Sequence, residues 1–319
     1  MQGAKIENEY FPALDGLRGI AALIVYVSHA GLQGLTPQFS FHEVGQLGVM
    51  VFFALSGFLM CERYAGLDIS RSQVRSFFVS RLSRVVPLYI FVGVFSFVVF
   101  NFIDSSFKYD ITPYLLLRHL LFVNEMSVFW TIPAEVQFYL LFPAIWLLMC
   151  HDKFGGFLTI TVLLFASLIL QYFDFPGRRM MLSSCLHMFS FGLIVAILRG
   201  YLSKRSTELL TGFFPIALSV ALLATCAFFT VINGALGFSQ VDIWNIGWFS
   251  VPISLLVLCA SLRGGLFVHA LARTGMRWLG KVSYSLYLWH SPVIIYCVSI
   301  SEHFNLVLSF RLFDTRTFL

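Results

Sequence analysis

Apolar runs recur along almost the whole chain, near residues 17–33, 46–61, 85–103, 135–150, 156–172, 183–198, 211–232, 245–262 and 283–300. Most approach the roughly 20 residues a helix needs to cross a hydrocarbon core of about 30 Å. The pattern therefore predicts an all-α, polytopic integral membrane helical bundle of about 9–10 transmembrane helices. The segment Pro113–Val123 is shorter and is interrupted by Arg118 and His119, so it reads as a re-entrant or half helix. Residues 1–319 are expected to form a single transmembrane domain with no soluble domain. The first ten residues are polar and no small-residue cleavage site follows the first run, so that run is expected to be retained. Asn305–Leu319 carries Arg311, Asp314 and Arg316 and reads as an incomplete or divergent last helix.

The first run holds two ionisable groups, Arg18 and His29, eleven residues apart. At about 100° and 1.5 Å per residue, that is three turns plus roughly 20°, so both share one face about 16 Å apart along the axis. Either group in hydrocarbon costs several kcal/mol, so this face should turn toward protein or water.

Composition agrees with a membrane protein. Apolar residues make up 58% and charged ones 12% of 319, with a mean hydropathy of +0.83. A soluble domain is nearer a quarter charged. A net charge of +5 would point to nucleic acid in a soluble protein. Here no nucleic-acid partner is expected, because the basic residues sit in connections between runs, where lipid headgroups and orientation explain them. Those connections carry Arg63, Arg71, Arg75, Arg81 and Arg84; then Arg199, Lys204 and Arg205; then Arg263, Arg273, Arg277 and Lys281. The connections around Glu43 and Asp242 carry none, and the one with Asp174, Arg178 and Arg179 is a mild exception. If Pro113–Val123 does not cross, all three basic connections fall on one side, which is then cytoplasmic together with the amino terminus; if it crosses, the later two switch sides. Cys61, Cys150, Cys185, Cys226, Cys259 and Cys297 are single and scattered with no CxxC or Cys/His ligand spacing, a pattern that favours buried packing thiols over a metal or disulfide framework.

Five stretches in chain order resemble the membrane acyltransferase-3 family, which includes the O-acetylases of bacterial surface polysaccharides. They are Leu14–Gly19 followed by His29; Gly48–Phe58; Phe77–Tyr89 with its Arg81/Arg84 pair; Trp130–Tyr139 with Glu135; and Leu279–His290 with Ser283 and Tyr284. The resemblance implies acyl transfer to a sugar hydroxyl, acetyl-coenzyme A as the donor co-substrate, no metal, and a lipid-linked or surface carbohydrate as acceptor. It also implies residence in the bacterial inner membrane.

The residues fit that chemistry, with plainer alternatives beside each. His29 can accept a hydroxyl proton or carry an acyl group; otherwise it is a histidine hydrogen-bonded between helices. Arg18 cannot lose its charge and needs an anion, either a ligand or Asp15 one turn earlier. Arg81 and Arg84, spaced i, i+3, suit a clamp on acyl-coenzyme A phosphates, or form the basic flank of a loop near lipid headgroups. Glu135 is placed near the outer surface, where it could orient His29, bind sugar hydroxyls or pair with Arg118. Asp15, Trp130, Ser283, Tyr284 and His290 are candidate walls of the site. Ser56-Gly57 reads as a close helix contact rather than a nucleophile. His42, His119, His151, His187, His269 and His303 are left to loops or packing, and Trp244 and Trp278 to membrane interfaces. A glycan exporter is the alternative of a different class, and a non-catalytic assembly factor a third. Against the exporter stand the paired cations and the lack of an inverted repeat.

Overall fold

The computed structural model describes residues 9–33, 35, 42–123, 126–151, 153–173, 182–202, 204–236 and 249–303, and every regular element among them is helical. The helices are α1 (Pro12–Leu32), α2 (His42–Tyr64), α3 (Arg71–Phe102), α4 (Pro113–Leu120), α5 (Thr131–His151) and α6 (Lys153–Tyr172). They continue with α7 (Leu182–Arg199), α8 (Lys204–Thr211), α9 (Phe214–Leu236), α10 (Ser250–Ser261), α11 (Leu266–Leu271) and α12 (Thr274–His303). A 3-10 turn, Ser127–Trp130, leads into α5. The side chains of His42, Glu43, His151, Lys204, Cys226 and His303 lie outside the described residues. So do Asp174, Arg178, Arg179, Asp242, Trp244 and Asn305–Leu319.

Each of the nine apolar runs falls on one of these helices or on a bent pair. Among the described residues, four segments are long and apolar enough to cross a membrane unaided: Pro12–Leu32, Val44–Tyr64, Arg71–Phe102 and Val128–Cys150. Arg205–Thr211 and Phe214–Thr225, bent by 47°, pass together as a broken span. Gly155–Ile169, Cys185–Arg199 and Ser250–Ser261 are shorter apolar helices. The protein is an integral membrane helical bundle.

Two local features depart from the simplest reading of the pattern. Arg71, Arg75, Arg81 and Arg84 are not in a loop; they form the first turns of α3, which continues through Pro87 for 32 residues. Ser70 starts that helix early, its hydroxyl accepting from the Gln73 N–H at 3.3 Å. The second feature is the connection from α4 to α5. Pro113 sits at the first position of α4, behind a Thr112 cap that accepts from Leu115 N–H at 3.3 Å. The helix stops at a reversal where Phe122 adopts φ 55°, a conformation a bulky residue holds only when its surroundings fix it. The Phe122 ring stacks 5.2 Å from Tyr89. Beyond it the chain does not stay at the surface. Val128 and Phe129 are buried, and Phe129 packs against Tyr109, Tyr89 and His119. Helix α5 therefore begins inside the bundle.

Helix α1 packs along α12 and α2, and α2 along α7. Lipid supplies no hydrophobic drive between spans, so close backbone approach is a main source of association. A Cβ at Gly280 of α12 would collide with the Asp15 carbonyl of α1, and one at Gly57 of α2 with the Phe189 carbonyl of α7. Glycine is needed at both positions for that reason. Elsewhere the core is aromatic: Tyr64, Phe77, Phe142 and Trp146 contact one another, and Trp146 Nε1–H donates to Leu67 O at 2.8 Å.

One end of the bundle collects basic residues from all three basic connections. Glu9 takes Arg199 at 2.8 Å and Arg263 at 3.1 Å, and the Arg277 guanidinium lies 5.5 Å from the Tyr10 ring centre. Glu9 shares a cavity with Arg63 and Arg84. This agrees with the topology in which Pro113–Val123 does not cross.

Replacing Gly280 with valine should push α1 off α12. The expected cost is about 1–3 kcal/mol, the usual range for forcing methyl groups into a packed contact. A lowered thermal midpoint of the purified protein in detergent, against an unchanged midpoint for a substitution at exposed Lys281, checks it.

Candidate active site

Helices α1, α2, α3, α5 and α12 each contribute to one small cavity of about 80 Å³. From α1 comes Arg18, from α2 Ser56 with Val49, Phe52 and Phe53, and from α3 Arg81, Arg84 and Val85. Helix α5 supplies Thr131, Ile132, Glu135 and Tyr139, and α12 supplies Ser283, Tyr284 and Tyr287. Toward the basic end lies a larger cavity of about 440 Å³, bounded by Glu9, Asp15, Glu62 and Arg63 among others. Arg18, Arg81 and Arg84 line both cavities. Three guanidinium groups thus stand at the junction of an outer chamber and an inner one.

Their electrostatic settings differ. Arg18 pairs with Asp15 at 3.7 Å, one turn away on α1. Arg81 and Arg84 have no carboxylate within 4.0 Å among the described residues. Arg81 is 8% exposed, its guanidinium 5.8 Å from the Tyr64 ring centre, and its Nε–H is buried without a hydrogen-bond partner. Arg84 is exposed. A buried donor left unmet costs about 1–3 kcal/mol. A planar, five-donor cation placed so is a ready seat for a phosphate.

Glu135 faces these arginines across the inner cavity. Its Oε1 accepts from Tyr139 O–H at 2.6 Å and from Ser56 O–H at 3.0 Å. The Tyr139 contact spans i, i+4 on α5, while Ser56 reaches across from α2. Two donors fix the carboxylate, which shares the inner cavity with Arg18, Arg81 and Arg84. Glu135 and Arg18 therefore stand at one level of the bundle, whereas the sequence reading put them toward opposite membrane surfaces. Nor does Glu135 pair with Arg118, whose Nη2–H donates to Val123 O at 3.0 Å.

The α12 wall is tied to its neighbours by hydroxyls. Tyr284 donates to Val85 O at 2.7 Å, Tyr287 to Val128 O at 3.0 Å, and Ser283 to Gly280 O at 2.8 Å within its own helix. Farther along the same pair of helices, the His29 ring meets His290 edge-on, centroids 4.8 Å apart. His290 Nδ1–H donates to Tyr287 O at 2.6 Å, which fixes the tautomer and leaves the lone pair on Nε2. That nitrogen is buried with no hydrogen-bond partner. His29 does not line either cavity; it is joined to the inner one through His290 and then Tyr287, whose ring is 5.8 Å from His290.

The sequence-derived set is thus divided. Arg18, Arg81, Arg84, Glu135, Ser283 and Tyr284 come together around one cavity. Asp15 lies in the outer chamber, and His29 and His290 form a separate pair deeper along α1 and α12. Trp130 is outside the lining, edge-on to Phe53 at 5.9 Å. Ser56, Tyr139 and Tyr287 were not singled out as site residues, although each lies in one of the stretches that carry the family resemblance. The i, i+4 spacing of Glu135 and Tyr139 was a second signal, and that spacing is common in any helix. His119 is a packing residue, stacked on Tyr89 at 3.7 Å and hydrogen-bonded to Tyr89 O.

A family model described as an acyltransferase domain matches residues 11–314. Among curated proteins, YrhL of Bacillus subtilis (strain 168), named a candidate peptidoglycan O-acetyltransferase, is 25% identical over 337 residues, covering 92% of this chain and 50% of that protein. OatA of Staphylococcus aureus (strain NCTC 8325 / PS 47), named an O-acetyltransferase, is 25% identical over 321 residues, covering 90% and 51%. ORF330 of Acidianus two-tailed virus, named a candidate acetyltransferase, is 27% identical over 300 residues, covering 89% and 84%. The chain spans about half the length of the two bacterial relatives. No solved structure matches it.

The clamp on Glu135 has a measurable worth. Tyr139→Phe and Ser56→Ala should each lower stability by about 1–3 kcal/mol, because each removes a donor from a carboxylate with little water to replace it. The double variant should cost less than the sum, since both act on one oxygen. Denaturant or thermal unfolding of the three variants checks this.

Proposed function

The chain belongs to the acyltransferase-3 family, and from that premise we propose that it is an integral membrane O-acetyltransferase. It takes acetyl from acetyl-coenzyme A on the cytoplasmic side and places it on a hydroxyl of a surface or lipid-linked carbohydrate. The observation carrying this reading is the arginine trio shared by two cavities, two of its members without a carboxylate partner among the described residues. A transporter of neutral glycan has no need of unpaired guanidinium groups at a junction, whereas a phosphate-bearing thioester does. The gathering of basic connections around Glu9 supports assigning that end to the cytoplasm of a bacterial inner membrane. The relatives' names support a carbohydrate acceptor.

In this reading the donor's phosphates occupy the outer chamber against Arg81 and Arg84, and its acyl-bearing arm passes Glu135 into the inner cavity. Arg18 and His29 are about 16 Å apart along α1 by helix rise, a span that an extended pantetheine arm bridges. At the far end His29, which stands beyond the inner cavity behind Tyr287 and His290, takes the proton of the acceptor hydroxyl. This step requires those two side chains to yield a path to it. The hydroxyl oxygen then bonds to the thioester carbonyl carbon, the carbon–sulfur bond breaks, and the thiolate leaves to be protonated as free coenzyme A. His290, its tautomer set by Tyr287, holds the His29 ring from one side. Glu135 balances the arginines and presents an acceptor to the arm's amide N–H groups.

His29→Ala should abolish base-labile acetyl on the surface glycan while the glycan itself still reaches the surface. Loss of the surface glycan would instead mark an exporter. Changing Arg81 and Arg84 together to glutamine should raise the donor KM by about 10–100-fold, the loss of one to two charge-assisted hydrogen bonds, with a much smaller change in kcat. Radiolabel transfer from acetyl-coenzyme A by purified protein reads both numbers.

A further inference from the structure

We propose that Arg63 is the contact for the donor's ribose 3′-phosphate, so that the outer chamber reads coenzyme A as a nucleotide and not only as a thioester. The inference rests on the acetyl-coenzyme A reading above and names a residue beyond it.

The order of charges through the two cavities carries it. Arg18, Arg81 and Arg84 stand at the junction, while Arg63 lines the outer chamber only. Coenzyme A has the same order of parts: acyl arm, pyrophosphate, then the ribose with its phosphomonoester. With the arm in the inner cavity, the pyrophosphate falls at the junction, and the 3′-phosphate, further from the thioester, falls toward the rim.

The rim's other charges are already matched. Glu9 is held by Arg199 and Arg263, and Glu62 by Arg199 at 3.2 Å. Phe11 packs beneath the Arg199 guanidinium at 4.8 Å and against Phe58 at 5.8 Å, so this ring of contacts is fixed. Arg63 takes part in none of it. It is exposed at the last turn of α2, has no carboxylate within 4.0 Å among the described residues, and rests its guanidinium 5.8 Å from the Tyr64 ring centre. Arg81 lies on the same Tyr64 ring at 5.8 Å. One aromatic residue therefore carries the rim cation and the junction cation together, which matches a ligand whose two anionic groups are joined through a single ribose. A phosphomonoester near neutral pH carries close to two charges, and a guanidinium fork meets it with two parallel hydrogen bonds.

The test is binding, which needs no acceptor. The full chain in nanodiscs is titrated with radiolabelled acetyl-coenzyme A, and unlabelled coenzyme A and 3′-dephospho-coenzyme A compete. The wild type should prefer coenzyme A by about tenfold, one charge-assisted contact. Arg63→Gln should bring that ratio close to one, and Arg63→Lys, which keeps the charge, should retain part of it. Equal competition by both compounds in the wild type overturns the proposal. So does a ratio that survives Arg63→Gln, the result expected if Arg63 serves only lipid headgroups. Absence of any acetyl-coenzyme A binding by the wild type overturns the donor reading itself, and the phosphate assignment with it.

Discussion

Positive charge held away from water without a matching carboxylate is the constraint around which this bundle is arranged. Arg81 is nearly buried, one of its N–H groups has no partner, and it stands beside Arg84 and Arg18 at the meeting of two cavities. A charge in such a place costs several kcal/mol unless something returns the lost solvation. Here the return is incomplete. Asp15 reaches Arg18 loosely, and Glu135 faces the group from across the inner cavity, already committed to Ser56 and Tyr139. Such an arrangement is stable enough to fold, yet leaves an anion site open for use.

Two packing devices make the arrangement possible. The first is the close approach of α1 and α12 at Gly280, which sets Arg18 against the Ser283–Tyr287 wall and, farther on, His29 against His290. The second is the buried connection through Val128 and Phe129, which lets α5 begin within the bundle. Tyr287 joins the two devices, since its hydroxyl holds Val128 O while its carbonyl orients His290. A lesion at Tyr287 would therefore disturb both ends of the polar track.

The outer chamber is organised on a different principle. Glu9 and Glu62 are neutralised by arginines from distant connections, Arg199 and Arg263, while the cations contributed by α2 and α3 have no carboxylate partner among the described residues. Partly exposed ion pairs of this kind add little stability individually. Their use here is to draw the segment before α1 onto α7 and the α10–α11 connection, with the Glu9 carboxylate committed to Arg199 and Arg263.

The sequence by itself determined the class of fold, because a run of apolar residues long enough to cross hydrocarbon leaves no backbone solution but a helix. It also determined that Arg18 and His29 share a face, since that follows from helical period alone, and that the Pro113 segment is a short piece rather than a span. What only the tertiary structure decided is which groups meet. Ser56, read as a packing residue beside Gly57, proved to hold Glu135, and Glu135 itself met the arginines across one cavity. The basic stretch from Arg71 to Arg84 became helix. His29 was set against His290 rather than on the inner cavity. Periodicity fixes direction around one helix, but depth and partnership depend on where neighbouring segments begin, dip and cross. Those are set by contacts such as Gly280 on Asp15 and Phe129 on Tyr109 that are distant along the chain and leave no local pattern in it.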